Sequence, residues 1–431
     1  MATKIYTGGA ANVADVIHLT PGGTIEVGDV FRVTLGVSQV EIAASATTVA
    51  SVCTDLLAAL TANDVPAEFA DLTWEVDDTT TPTVVIGTGP SDGRPIYASL
   101  AVATTESGGG AADAQTFAKS NPTAATGSKD WDNVDNWHDG ALPTNNDTVY
   151  LGLYPIVPQY NLDQTGMTGE LTALYIMNGA TSGLLVGLPK VNANGFNEYL
   201  DQYLTIDTDA LYYGEGVGDA TPSLYLNANP ANNALSVQVK RTDIRDGDGV
   251  APLVIKNAGS AAVTITDCRG AVDLATGPDD SLTLTALTSG VGGDVRIGVN
   301  CTTTDIVMND GQLEFNAVDT LTSLTMREGA SAVINGNAGA ITTITMESGT
   351  SVDWRRTATV TNFTSSGSIE FGNDNRTGKT FTNVDLFAGA TWNDPNQVVT
   401  TTNGIDLNRC GIEDVSVRIG KHRRLTPGSV A

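Results

Sequence analysis

Apolar and polar positions follow one recurring phrase through the C-terminal third of the chain. Leu321-Thr-Ser-Leu324-Thr-Met326 is followed by Gly329, and Ile341-Thr-Thr-Ile344-Thr-Met346 by Gly349. Met308 with Gly311 is an earlier echo, and Phe381-Thr-Asn-Val384-Asp-Leu386 with Gly389 a later one. Met308, Met326 and Met346 stand 18 and 20 residues apart. That period fits one coil of a β-solenoid, a few short strands joined by turns and stacked on the coil before. Alternate residues of each coil are expected to point into a narrow apolar interior, with Thr outside and Gly or Asn at left-handed corners. The rhythm is regular over residues 237–420, from Leu253-Val-Ile255 and Val263-Thr-Ile265 to Val415-Ser-Val417-Arg-Ile419. Coils stacked in this way leave raw edges only at the two ends.

Upstream the pattern changes. Ile25, Val27, Val30, Phe31, Val33 and Leu35 mark one strand, and Val37, Val40 and Ile42 a second beyond Gly36, which predicts a hairpin. Val49, Val52, Cys53, Leu56 and Leu60 then fall on one stripe of an α-helix, with Ser45 or Thr47 as its cap and Asn63 and Pro66 closing it. Strands are expected near Leu72–Val76, Thr83–Ile86 and Ile96–Val102. Residues 1–105 therefore read as an α+β docking module with one helix over a small sheet. Gly108-Gly-Gly110 and the Ala/Thr/Asn/Pro stretch after it make 106–130 a linker. Residues 131–236 read as a cap followed by irregular early coils with a loop near Asn192–Tyr203. In the cap, Trp131 and Trp137 precede a turn at Pro143 and a strand led by Asp147, and large aromatics there can cover an exposed solenoid edge. A sugar grip by the two Trp is the alternative. The far edge is assigned to the segment after Cys410, and 421–431 is a basic tail.

Composition sharpens this picture. Hydrophobic residues reach 41%, enough for real cores. The formal charge of −27 repels phosphate backbones and argues against nucleic acid as a partner, while keeping a β-rich particle soluble. Lys421, Arg423 and Arg424 are the local exception, a solvated tail or a peg for an acidic neighbour. Cys53, Cys268, Cys301 and Cys410 form no CxxC pair, so buried free thiols are expected rather than a metal or redox site. No signal peptide or membrane-spanning run is expected.

Candidate chemistry is thin. His18, His138 and His422 lie in different segments, and none is favoured as a catalytic base. Arg245-Asp-Gly-Asp-Gly249 lacks the full calcium-loop pattern, and Gly87-Thr-Gly-Pro-Ser-Asp-Gly93 leads into a strand rather than a phosphate-binding helix. Asp279, Asp280, Asp305, Asp310 and Asp353 are candidate acids for polysaccharide cleavage, but no spacing singles out a pair. Trp354, Arg355 and Arg356 form a compact cationic-aromatic group, either an outer ladder patch or a subunit contact. No cofactor or metal is expected.

Two stretches carry a resemblance. Thr24–Val102, with its Gly-Asp-Val-Phe-Arg-Val-Thr-Leu strand and Ala/Thr-rich helix, resembles small α+β modules of tailed-bacteriophage structural proteins. Trp131…Trp137…Pro143…Asp147-Thr-Val-Tyr-Leu151 is similar to the opening segment of β-helices in bacterial surface proteins and phage spikes. The resemblance implies a non-enzymatic virion component, a capsid decoration or head spike, assembled as a homotrimer in the host cytoplasm. Its partners would be the major capsid protein or another virion protein. A tail-associated glycan-binding adhesin or depolymerase, meeting a host surface glycan, is the alternative. No catalytic residue is carried over.

Overall fold

The computed structural model describes the chain except residues 1, 108–113, 168, 180–181, 188–201, 219, 229–233, 258–261, 337–338, 373–375, 377, 408–413 and 421–431. The basic tail, Cys410 and most of the Asn192–Tyr203 loop therefore lie outside the described residues. The fold is mainly β, a parallel β-solenoid of about 11 turns. Its two faces are a 14-stranded sheet, here the long face, and a 12-stranded sheet, the short face. Within each face every coil pairs in parallel with the next, as Leu321–Met326 does with Ile341–Met346 and Ser331–Ile334 with Ser351–Trp354.

The repeated phrase is the long-face strand plus the corner that leads to the short face. Leu321, Leu324 and Met326 point inward and stack on Ile341, Ile344 and Met346 of the next coil. Strict alternation, the sequence expectation, is broken at Thr322-Ser323, where two successive residues face outward. Gly311, Gly329, Gly349 and Gly389 take φ of 90°, 92°, 81° and 88°, so the glycine of each phrase is the left-handed corner. At Gly311 the need is steric as well, because a Cβ would stand 1.9 Å from Gly293 O. Late coils fill their interior with Trp354, Phe363, Phe371, Phe381 and Trp392, packed largely edge-on at centroid distances of 4.7–5.7 Å. Outside the early coils, Tyr150, Tyr175 and Tyr212 stack face to face at 4.6 Å.

The N-terminal organisation departs from the sequence reading at both boundaries. Thr3–Ile5 is the outermost rung of the long face, paired in parallel with Thr148–Leu151. The chain then leaves the solenoid and returns near Thr126. Within that excursion a four-stranded antiparallel sheet has the order Thr73–Val76, Val85–Thr88, Val16–Gly23, Gln115–Thr123. A three-stranded sheet has Val30–Leu35 between Ser38–Ala43 and Leu100–Thr105. Gln115–Thr123 lies in the stretch read as linker, where its Ala, Ser, Asn and Pro content conceals a strand. Val16–Gly23 was hidden by Pro21-Gly-Gly. Pro21 lies past the end of the Val85–Thr88 pairing, so its missing N–H removes no ladder bond.

Helix Val49–Leu60 buries Val52, Cys53, Leu56 and Leu60 against these sheets, the stripe the spacing indicated. Its cap is Thr48, whose Oγ1 accepts from Ser51 N at 3.2 Å. Ser45 instead donates to Asp55 and bonds to Ser51. Asp15, buried, ties the excursion together by accepting from the amides of Ile96, Tyr97 and Ala125 and from Asn121. At the far end Ser416–Ile419 is itself a rung, paired with Thr391–Asp394, rather than a cover laid over the last edge.

Candidate functional site

Trp131 and Trp137 are both buried and meet edge to face at 5.0 Å, with Tyr6 against Trp137 at 5.2 Å. Trp137 Nε1 donates to Trp131 O, and the Tyr6 hydroxyl donates to Ser128 O and Asp130 O. Neither indole offers a free face to a sugar. His138 lies on the outer edge of the first rung, where its Nδ1 accepts from Ile5 N and its amide donates to Ile5 O. Pro143 is buried in the turn. Asp147 accepts from Ala2 N and from both Thr144 N and Oγ1. Burial pushes its carboxyl up, but these hydrogen bonds, with Lys4 nearby, outweigh it and lower the pKa.

Trp354 and Arg356 are fully buried core residues and cannot form an outer patch. The guanidinium of Arg356 reaches across coils to the carbonyls of Ala317, Val318, Asp319 and Gly339. It closes corners of the solenoid from inside, because a buried cation is tolerated where carbonyl dipoles surround it. Burial lowers its pKa to about 10, with Asp319 opposing. Arg355 alone points outward and pairs with Asp353 at 2.6 Å.

Asp353 belongs to a concavity on the solenoid surface. On the outer side of the short face, Asp294, Gln312, Ser331, Ser351 and Ser368 run in one ladder, and Arg296, Glu314, Val333, Asp353 and Glu370 in the next. Longer side chains at both ends and short ones in the middle leave a trough of about 540 Å³. Its rim is set by charge pairs. Arg296 holds Glu314 at 3.1 Å, and Arg245 reaches Asp273 at 2.6 Å and Asp294 at 2.7 Å. Two flanking acidic groups and burial act on Arg245, and the hydrogen bonds raise its pKa against the desolvation.

Asp353 and Glu370 are register partners on adjacent rungs. Parallel strands lie roughly 4.8 Å apart, so the two acids are neighbours along one outward ladder. Both are already engaged. Glu370 accepts from Gly372 N at 2.6 Å and from Asn393 Nδ2, and Asp353 from Arg355. The lining mixes serine, acidic and arginine side chains with a comparable apolar surface that includes Leu313, Ala332 and Val352, a combination that can seat a hydroxylated chain.

The other acids named from sequence do not join this pair. Asp305 lies on the long face under Ser323, Asp310 accepts from Gly292 N at a corner, and Asp280 pairs with Lys256. Glu370 escaped the sequence reading, although Ser351-Val-Asp353 and Ser368-Ile-Glu370 repeat one Ser-x-acid phrase.

The remaining motifs are turns. Asp246 Oδ1 accepts from Asp248 N and Val250 N, which occupies the loop that resembled a calcium site. No cluster of three or more potential metal ligands is present among the described residues. After Gly93 the chain passes to a single 3₁₀ turn, Tyr97–Ser99. Cys53, Cys268 and Cys301 are buried free thiols, pushed up to about 11, 12 and 11 chiefly by burial. Comparison with known proteins returns no matching family model, no matching curated protein and no matching solved structure.

Proposed function

We propose that this chain is a non-enzymatic structural protein of a tailed-bacteriophage particle, a capsid decoration or head spike. It assembles as a homotrimer in the host cytoplasm and meets the major capsid protein or another virion protein through its N-terminal elements. The observation that carries this reading is the attachment of the antiparallel excursion to the outermost rung. A long parallel stack gives a rod, and an excursion held at one end by the strands of two adjacent rungs gives that rod a head. Immunogold labelling and cryo-electron microscopy of intact particles test it. The expected result is a rod of threefold copies on the virion, and particles lacking the chain would sink the proposal.

The trough supports a second reading, a tail-associated adhesin or depolymerase for a host glycan. Its mixed polar and apolar lining and the Asp353–Glu370 ladder pair motivate it. A glycan array with reducing-end assays, run on the wild type and Glu370→Gln, tests this reading. Binding or sugar release that the substitution abolishes supports it, and silence across the panel counts against it.

A further inference from the structure

At equal height along the axis, the two outer faces of the solenoid differ sharply in charge. The long-face strands Leu282–Ser289, Cys301–Met308, Leu321–Met326, Ile341–Met346 and Thr359–Ser365 point a single charged side chain outward, Asp305, which accepts from Ser323 Oγ at 2.6 Å. The short-face strands of the same coils point Asp294, Arg296, Glu314, Asp353 and Glu370 outward. In a chain of net charge −27, a surface nearly free of charge over five coils is where another copy can approach without repulsion.

The uncharged surface is also regular. Thr285, Thr304, Thr322, Thr342, Thr361, Thr382 and Thr402 occupy equivalent positions on successive rungs. All but Thr382 are exposed. Beside this file Asn383 donates to Asn362 at 2.9 Å and Asn403 to Asn383 at 2.6 Å, which fixes the neighbouring ladder. β-Branched Thr has little rotamer freedom to lose on burial and offers both a methyl and a hydroxyl. Seven rungs of six residues span roughly 34 by 20 Å, an area on the order of the ~800 Å² per partner of a standard interface. Beyond the five charge-poor rungs, the last two point Asp385 and Asp406 outward.

We infer that the long face, centred on this threonine file, is the surface through which copies of this chain meet, turned toward the axis of the trimer while the charged short face stays outside. This rests on the homotrimer proposed above and names its contact. The interface is polar and hydrated, as uncharged hydroxyl-rich surfaces are.

Analytical ultracentrifugation of the purified full chain tests the inference. The wild type is expected to sediment at three chain masses. The triple variant Thr322→Glu/Thr342→Glu/Thr361→Glu is expected to fall to a monomer at concentrations where the wild type is fully assembled. Ser331→Glu/Ser351→Glu/Ser368→Glu, with the same added charge on the short face, is expected to stay trimeric. Thr342→Cys provides a variant of minimal perturbation, and mild oxidation should join its chains while leaving Ser351→Cys uncoupled. A wild type that is monomeric at every concentration overturns both the trimer and its contact. A trimer that withstands the long-face glutamates, or that cross-links through Ser351→Cys instead, overturns the contact alone.

Discussion

Over the coils from Leu282 to Glu370 the long and short faces rise together, share one apolar interior and are joined at every corner, yet their outer ladders have little in common. The long face presents Thr, Ser and Asn in file, whereas the short face alternates acids, arginines and small residues around a trough. The difference shows where the fold constrains the sequence. Inward positions are set by the volume left by the other face, so small Ala332 and Val352 share one interior with large aromatics, and Trp392 fills space beside Phe363 and Phe381. Outward positions answer only to their neighbours on adjacent rungs, so each face is free to acquire its own surface chemistry.

The comparison breaks most directly through the shared interior. Trp392→Ala empties a site that packs on Phe363, Phe371 and Phe381, and should lower stability by about 3–5 kcal/mol. A guanidinium midpoint unchanged from wild type would show that the faces do not share a core. Corners come next. Gly311→Ala combines a positive φ with a backbone clash, and about 2–3 kcal/mol of destabilisation is expected in thermal melts. Gly378→Ala tests φ alone, since nothing lies within 4 Å of its added Cβ, and should cost about 1 kcal/mol.

Acid separates the capped end from the interior. Asp77 is lowered to about 2 by its hydrogen bonds to Thr83 and Val84, and Asp147 is lowered by the net of its hydrogen bonds over burial. Both folded pKa values lie below the unfolded ones. Their stabilising effect is therefore present above the unfolded carboxyl pKa near 3.8 and is lost as pH falls through the folded value. Hydrogen exchange between pH 4 and pH 2 should show Thr3–Ile5 and its partner rung loosening before coils 321–365. Exchange that rises uniformly along the chain would contradict this order. The smallest effect is expected at outward ladder positions, where Thr342→Ala or Glu370→Gln should change stability by no more than about 0.5–1 kcal/mol. Larger losses in either variant would mean that the outer ladders hold the faces together.

Much of this architecture is legible in the sequence, because inward Leu, Ile and Met recur with a glycine corner at a nearly fixed step. The helix stripe Val52, Cys53, Leu56 and Leu60 was equally plain. Other features leave little trace. Arg356 reads as a surface charge, since nothing in its neighbourhood announces the carbonyls of Ala317 and Gly339, 39 and 17 residues earlier, that receive it. Gln115–Thr123 reads as linker because its strand exists only through pairing with Val16–Gly23, about a hundred residues away. The trough depends on which outward residues become neighbours, and register is a property of stacking rather than of any one coil.

The clasp between Thr3 and Thr148 has a consequence for how the molecule forms during synthesis. Residues 3–5 must wait, unpaired, until the whole intervening excursion has been made and its far strand has returned. This strand is thus made long before the rung it pairs with, and a ribosome-bound chain carries an open edge for most of the time needed to make the head. Once shut, the same clasp ties both ends of the excursion into two adjacent rungs, so torque applied to the head passes into the stack through two strands instead of swivelling on one.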